Sequence, residues 1–399
     1  MPVQDLDVDM LLIGGGVASA AAAGELRNSG FDGSIALVTR ELDPPYRRPA
    51  VTKELLGPKA EAHDPAVQPP DWWAANEIQL LTRSAVAALD TDAHTATLVN
   101  KRALHYRKAL VATGAGVRRL SVAGASLEGI HYLRAPGNAH KLRTEARNAR
   151  RAVLVGGSFI AVEAAASLTA IGVHCTMVMP ERAPLETAFG PTVADHVSDM
   201  LRERGITLVC GRQVVEFTGE GRVDGVRTDT GEQLPADLVV VGIGAMPDAK
   251  LGAAAGLDIG VTGGIACDEA LRTSAEDVYA AGDVCEYYSL VHQRRIRVEH
   301  ERHAEAQGVT AARNMLGLAT PHVEVPYFWT DLADWARFEY VGPAVDWDGE
   351  RITGSLRSGN FTVWYLLGER VVAALTSGRP EDLDHARELI SSTRNTAPK

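Results

Sequence analysis

The chain has 399 residues, of which 46% are hydrophobic and 23% charged, the balance of an ordinary globular protein long enough for roughly two to four domains. Its 40 Lys and Arg against 51 Asp and Glu give a formal net charge of −11, which excludes a general nucleic-acid binder. It does not exclude small phosphates, which glycine turns and helix ends bind inside acidic proteins.

No segment holds 18 consecutive apolar residues, so no membrane span is expected. The start, MPVQDLDVDM, is acidic and lacks the basic and apolar regions of a secretory signal. The four cysteines (Cys175, Cys210, Cys267, Cys285) are scattered, with no pair at metal or redox spacing. A reduced, cytoplasmic protein without a metal site is the expectation.

In chain order, VDMLLIGGGVASAAAAGELRNSGFDGSIALVTRE comes first. It reads as strand, glycine turn, Ala-rich helix, turn and strand, a βαβ unit of nucleotide-binding size. Gly14-x-Gly16-x-x-Ser19 sits at the strand-to-helix turn. The first Gly allows the turn, the second lets backbone approach a pyrophosphate, and Ser19 is a small substitute for the third. The helix start supplies free N–H groups and a positive dipole end. Glu41, at the end of the second strand, is placed to accept from ribose hydroxyls. Ile78–Ala112 alternates and reads as a β-meander, followed by the strand-to-glycine turn VATGA (Val111–Ala115).

A second βαβ pattern follows in RAVLVGGSFIAVEAAASLTAIGVHCTMVMPE. Its turn, Gly156-x-Ser158-x-x-Ala161, has lost two glycines, and Ser158 is expected to crowd the approach to a diphosphate. Glu181 and Arg182 follow the second strand: the carboxylate would suit a ribose 2′-hydroxyl (NADH), the guanidinium a 2′-phosphate (NADPH). ITLVCGRQVVEFTGEGRVDGVRTDTGEQLPADLVVVGIG reads as a second meander, and VGIGAMPD and VYAAGDV as further strand–glycine turns. In the last of these Gly282 permits close backbone approach and Asp283 is an acceptor for a polyol. A helix is expected near Glu301–Leu316, then strands in VPYFWTDLADWARFEYVG, FTVWYLL and RVVAALTSG. A helix in PEDLDHARELI and a disordered STRNTAPK tail complete the chain.

Taken together, GGGVAS, PYRRPAVTKELL (Pro45–Leu56), VATGAGVRRL, VGGSFIAVEAAASL, VVVGIGAMPD, LRTSAEDVYAAGDV, RVEHERHAEAQG and VPYFWTD resemble one family over nearly the whole chain. It is that of the FAD-dependent pyridine-nucleotide oxidoreductases, which includes ferredoxin and rubredoxin reductases and apoptosis-inducing-factor-like flavoproteins. The resemblance implies an α/β fold with two nested Rossmann-like (glutathione-reductase-like) dinucleotide-binding domains and a C-terminal α+β domain, without glutathione reductase's paired redox cysteines. The implied domains are a discontinuous FAD-binding domain (1–116 and 245–320), an NAD(P)-binding domain (117–244) and the C-terminal domain (321–399). In related flavoproteins the last supports the flavin face and sometimes a dimer contact, which leaves a homodimer open.

Carried onto this sequence, the resemblance assigns Gly14, Gly16 and Glu41 to the ADP half of FAD, with Ser19 of the same turn a further cofactor-binding candidate. Arg48 and Pro49 would line the flavin site, and Ala112, Thr113, Gly114 and Arg119 would contact FAD. Gly282 and Asp283 would bind the ribityl and phosphate, and Glu299, His300 and Trp329 would close the isoalloxazine side. Gly156, Phe159, Ile160, Glu163 and Gly244 would hold the nicotinamide nucleotide, NADH or NADPH, with Glu181 the candidate already read from its place after the second strand. Lys53 and Glu163 would form the catalytic pair. A cation beside reduced flavin stabilises its negative charge, and a carboxylate fixes the cation's position.

The implied activity is hydride transfer from NAD(P)H to FAD, then release of single electrons to a separate ferredoxin or rubredoxin. Arg294, Arg295 and Arg297 are the surface candidates for an acidic carrier. Two other readings remain: a slow redox-signalling flavoprotein of the apoptosis-inducing-factor-like kind, and a repurposed FAD enzyme acting on a small metabolite. Glu301, in the position where reductases often carry Trp, would disfavour an anionic reduced flavin if it points inward.

Overall fold

The computed structural model describes residues 5–58, 60, 63–343 and 346–392. Strands and helices are numbered in chain order. A first sheet runs β3 (Ile78–Leu81), β2 (Ile35–Val38), β1 (Leu6–Ile13), β6 (Ala103–Val111), β5 (Thr95–Leu98), β4 (Val86–Asp90). β18 (Val278–Ala280) also joins it, parallel to the second half of β6. Leu11, Leu12 and Ile13 of β1 are buried on both faces, as a central parallel strand requires.

Between β1 and β2 lies α1 (Val17–Asn28), whose run of Ala favours helix. The turn before it depends on Gly14: its φ is +127°, and a Cβ there would stand 2.1 Å from the Ala112 carbonyl oxygen. α7 (Glu301–Met315) packs along α1 on the same face. α2 (Trp72–Ala75) leads into β3.

The second sheet is wholly parallel: β11 (Thr207–Cys210), β10 (His174–Met179), β9 (Arg151–Val155), β15 (Leu238–Val241), β8 (Ile130–His131). α3 (Pro136–Ala146), α4 (Phe159–Ala170) and α5 (Glu186–Glu203) connect its strands. A hairpin sheet of β12 (Val214–Thr218), β13 (Gly225–Thr228) and β14 (Gln233–Pro235) lies between β11 and β15. The chain enters and leaves this region through one antiparallel ribbon, β7 (Ala115–Val117) on β16 (Ala245–Pro247). α6 (Lys250–Ala254) and a sheet of β17 (Ile265–Cys267), β19 (Cys285–Ser289) and β20 (Arg294–Arg297) follow.

The last sheet is antiparallel throughout, with order β21 (Tyr327–Leu332), β22 (Ala336–Val341), β25 (Arg370–Ser377), β24 (Asn360–Leu367), β23 (Gly349–Ser355), and α8 (Pro380–Ser391) covers it. One hydrophobic core joins this sheet to the second: Phe338, Phe361 and Leu375 pack with Phe189 of α5, Ala161 of α4 and Leu55. That packing sets β21 across the molecule's central cleft.

Two expectations need correction. The stretch 78–112 is not one meander, because β3 pairs parallel to β2 and only β4, β5 and β6 run back and forth. In the stretch 206–244, β11 and β15 belong to the parallel sheet and only β12–β14 form hairpins. Alternation identifies a strand but not its partner. The STRNTAPK tail lies outside the described residues apart from Ser392. Among the described residues no helix is long and apolar enough to cross a membrane, and no group of side chains is arranged to hold a metal ion.

Candidate functional site

Two cavities, of about 230 and 330 Å3, meet at Arg48, Ala112, Gly116 and Arg134. The first lies among the α1 N-terminus, α4, the α7 N-terminus and β21. Of the predicted site residues, Gly16, Arg48, Pro49, Lys53, Ala112, Gly114, Phe159, Ile160, Glu163, Gly282, Asp283, Glu299, His300 and Trp329 line it. The second is walled by the first sheet's loops. Gly14, Glu41 and Thr113 line it, with Arg48 and Ala112 again.

At the centre of the first cavity Lys53 Nζ donates to Glu163 Oε1 at 2.6 Å, both side chains nearly buried. The Glu163 carboxylate also accepts from Thr52 Oγ1 at 2.5 Å and from Thr330 Oγ1 at 2.6 Å. Three separated segments therefore converge on one carboxylate: the loop after the Arg48–Val51 turn, α4, and β21. These three donors satisfy a carboxylate that burial would otherwise leave unpaired.

β21 supplies the cavity's aromatic wall. Phe328 stacks on the His300 ring at 4.1 Å between centroids, and Trp329 lies alongside under Arg337. Burial drops the His300 imidazole to a pKa of about 4, so the ring is neutral. Asp283 is half-buried, and its desolvation pushes the carboxyl up from the ordinary value against the pull of Arg134, 3.9 Å away. Glu299 is tied to Arg297 at 2.5 Å. Glu301 faces the same cavity, and its Oε1 accepts from Arg47 Nη1 at 3.0 Å.

In the second cavity Glu41 is already engaged. Arg48 Nη2 donates to one carboxylate oxygen and the Tyr46 hydroxyl to the other, each at 2.6 Å. Burial opposes its ionisation, but Arg48 and these hydrogen bonds prevail and hold the carboxyl below its usual value. Thr113 donates to the Asp248 carbonyl at 2.7 Å.

Five predicted residues line neither cavity. Ser19, in the first turn of α1, is fully buried and its hydroxyl has no partner among the described residues. Arg119 stacks over Tyr132, 4.7 Å from its centroid. Gly156 has φ +112°, and a Cβ there would meet the Gly242 carbonyl oxygen at 2.2 Å. Gly244 immediately precedes β16 of the ribbon, with φ +99°. Glu181 follows β10, and its Oε2 is buried without a partner among the described residues.

Ser158 stands at the α4 N-terminus, at the second glycine position of the motif. Its hydroxyl donates to the Gly242 carbonyl at 2.6 Å. The basic run 294–297 is not a free patch. Arg294 faces Asp346 at 3.6 Å, Arg295 donates to the Cys267 and Glu286 carbonyls, and Arg297 to Glu299 and the Asp283 carbonyl.

Sequence reasoning missed Arg134, which lines both cavities, and the threonine donors Thr52 and Thr330. Both threonines lie inside quoted motifs (PYRRPAVTK and PYFWTD), which was the available signal. Arg134 carried none.

An elongated two-part ligand fits these paired cavities. Backbone at Gly16 faces open space, since a Cβ there would meet nothing within 4 Å, and α1 has no side-chain cap over its first N–H groups. Those groups suit a diphosphate. The aromatic wall and the buried Lys–Glu pair suit a flat ring that gains negative charge. Fold and site thus define a flavoprotein oxidoreductase with a second nucleotide-binding unit.

Comparison with known proteins sets it within one family. The family described as pyridine nucleotide-disulphide oxidoreductase matches residues 8–308, and that described as reductase C-terminal matches 327–399. Rhodocoxin reductase of Rhodococcus erythropolis is 32% identical over 98% of this chain and 91% of its own. The solved ferredoxin reductase for the CYP199A2 system of Rhodopseudomonas palustris is 30% identical, with TM-score 0.93 over 98% of this chain and 96% of its own. The reductase in a covalent putidaredoxin reductase–putidaredoxin complex is 32% identical, with TM-score 0.91 over 97% and 94%. The chain belongs to the pyridine nucleotide-disulphide oxidoreductase family and carries its reductase C-terminal domain. It is an NAD(P)H-dependent flavoprotein oxidoreductase that uses FAD, built as two Rossmann-like domains with a C-terminal domain. The disulphide of the family's name has no counterpart at the site: all four cysteines are free and none lines either cavity.

Proposed function

We propose that this chain is the reductase of an electron-transfer chain, taking hydride from NADH and passing single electrons to a small ferredoxin-type iron–sulfur protein. The observation that carries this reading is the Lys53–Glu163 pair, buried in a cavity roofed by β21. Rhodocoxin reductase and putidaredoxin reductase, named for such carriers, align along nearly the full length.

In this reading the first cavity seats the isoalloxazine and the second the adenosine half of FAD. When bound, FAD supplies the conversion of a two-electron hydride into single electrons. Lys53 presents a fixed positive charge to the ring, and Glu163, held by Thr52 and Thr330, keeps the ammonium from swinging away. Phe328, Trp329 and neutral His300 exclude water from the ring's side. Gly14, Gly16 and the α1 N-terminus take the diphosphate, with Arg134 at the junction of the cavities.

Gly156, Phe159 and Ile160 begin the second nucleotide site at the α4 N-terminus. Glu181 has an unpartnered carboxylate oxygen for a ribose 2′-hydroxyl, whereas Arg182 is bound to Glu186 and Asp195. That contrast favours NADH over NADPH. The division into 1–116 with 245–320, 117–244 and 321–399 is supported by the β7–β16 ribbon, which carries both crossings between the nucleotide domains. The free cysteines suit a reducing cytoplasm.

The test is an anaerobic titration of the yellow protein with each nucleotide, followed by mixing with a [2Fe–2S] ferredoxin. Bleaching by near-stoichiometric NADH, then rapid one-electron reduction of the carrier, is the expected result. Absence of bleaching by either nucleotide in a dithionite-reducible protein would overturn it in favour of a repurposed flavoenzyme. Bleaching without transfer to any iron–sulfur carrier would favour the signalling reading.

A further inference from the structure

Glu301 is the first residue of α7, and its side chain is 6% exposed on the wall of the cavity that holds Lys53. One carboxylate oxygen accepts from Arg47; the other, Oε2, is buried with no partner among the described residues. A buried carboxylate oxygen without a donor is costly, so such an atom belongs to a site completed by a ligand or a proton. The α7 N-terminus offsets part of that cost through its free N–H groups.

The charged groups around it leave Arg47 as its one direct counter-ion. On α7 itself Arg302 pairs with Glu305. Across the cavity Lys53 is held by Glu163, Arg48 by Glu41, and Glu299 by Arg297. Arg134 faces Asp283, and His300 is neutral. Burial pushes the Glu301 carboxyl up from its ordinary value despite Arg47.

We propose that Glu301 is a redox-linked proton acceptor, its free oxygen taking up a proton from solvent as the flavin in this cavity is reduced. The inference rests on the reading that this cavity seats the isoalloxazine. Hydride from NADH makes the ring anionic, and that charge shares a low-dielectric space with the carboxylate, so repulsion raises the carboxylate's proton affinity. The balance is FAD + NADH + Glu301–COO⁻ + H⁺ → FADH⁻ + NAD⁺ + Glu301–COOH. The hydride's electron pair goes to the flavin, and the solvent proton forms the new O–H bond. Reoxidation by the carrier returns that proton to solvent.

The experiment is the pH dependence of the flavin midpoint potential, measured anaerobically with reference dyes on the wild-type holoenzyme and on Glu301→Gln. Each proton taken up with two electrons contributes about 30 mV per tenfold change in proton concentration. The wild type is expected to show a segment steeper than the one-proton slope, approaching twice that value. Glu301→Gln should hold the one-proton slope throughout, with a less negative potential than wild type at the alkaline end. Glu301→Asp, which keeps the carboxylate, should retain a steep segment. Superimposable wild-type and Gln profiles, with flavin bound and reducible by NADH in both, would overturn the inference and leave the seating of the flavin intact. A wild-type protein that binds no flavin would overturn both. Should the Gln variant lose its flavin, Arg47→Met decides the matter: loss of the cation should move the steep segment to higher pH, and an unmoved profile counts against Glu301.

Discussion

At the residue scale the site turns on how Glu163 is satisfied. Its three donors come from positions 52, 53 and 330, so the carboxylate remains partly hydrogen-bonded when any one is lost. Removing Lys53 still leaves a buried negative charge without its counter-ion, which costs on the order of 3–5 kcal/mol for such pairs. Lys53→Met is therefore expected to lower both the temperature of flavin release and the rate of flavin reduction by NADH, the latter about 100-fold. Glu163→Gln keeps an acceptor for Lys53 and a similar shape, and should slow reduction much less. Stopped-flow bleaching of the flavin band checks both, and equal losses in the two variants would mean that the carboxylate's charge matters as much as the ammonium.

At the element scale the feature that shapes the FAD end is the close approach of α1 and α7. A Cβ at Gly308 would stand 2.1 Å from the Ala18 carbonyl oxygen, so the helices touch through glycine and small residues. Ser19, next to Ala18 in α1, is fully buried, and its hydroxyl has no partner among the described residues. Gly308→Ala should force the helices apart, displacing Glu301 at the α7 N-terminus and destabilising the holoenzyme by about 3 kcal/mol or more. A thermal scan following flavin fluorescence tests this, and an unchanged release temperature would count against the close seam. The second βαβ unit meets the same demand by an exchange of partners. Ala161 stands where a helix glycine is usual, and room comes from Gly242 after β15, whose added Cβ would lie 2.9 Å from the Ala161 nitrogen. The altered second motif is therefore a packed turn rather than a damaged one.

At the scale of the whole molecule, buried histidines gather where β19, α7 and the loop leading to β21 meet. His303 and His322 lie edge to face at 4.9 Å, Tyr287 packs on both, and neither nitrogen of His303 has a partner among the described residues. Burial lowers the His322 pKa to about 4 from an ordinary 6.5. The unfolded chain binds a proton there between those values while the folded chain does not. The stability at stake is thus fully present above pH 6.5 and lost as the pH falls toward 4. Acidic groups with raised values, Asp283, Glu301 and Glu324, act in the opposite direction, so the wild-type profile is a composite. His322→Asn isolates one component: relative to wild type, the variant should gain about 2 kcal/mol on going from pH 7.5 to pH 5. Urea midpoints at the two values measure it, and a pH-independent difference would show that His322 titrates normally.

The sequence by itself determined the two nucleotide-binding turns, because a glycine at positive φ between an apolar strand and an Ala-rich helix is a local requirement. It also marked the segments that carry Lys53, Glu163, Asp283 and Trp329, through motifs whose resemblance to one family spans the chain. Only the tertiary structure decided which strands pair, since β3 and β11 alternate like hairpin strands yet lie parallel to β2 and β10. It likewise decided that Thr330 reaches Glu163 across 167 positions, that Arg134 joins the two cavities, and that Glu301 turns inward to Arg47, 254 positions away. Arg294, Arg295 and Arg297 read as a basic patch, and folding ties them to carboxylates and carbonyls. Backbone conformation and burial pattern are short-range properties written in neighbouring residues. A hydrogen bond between distant segments depends on where sheets and helices stack, which no local pattern records.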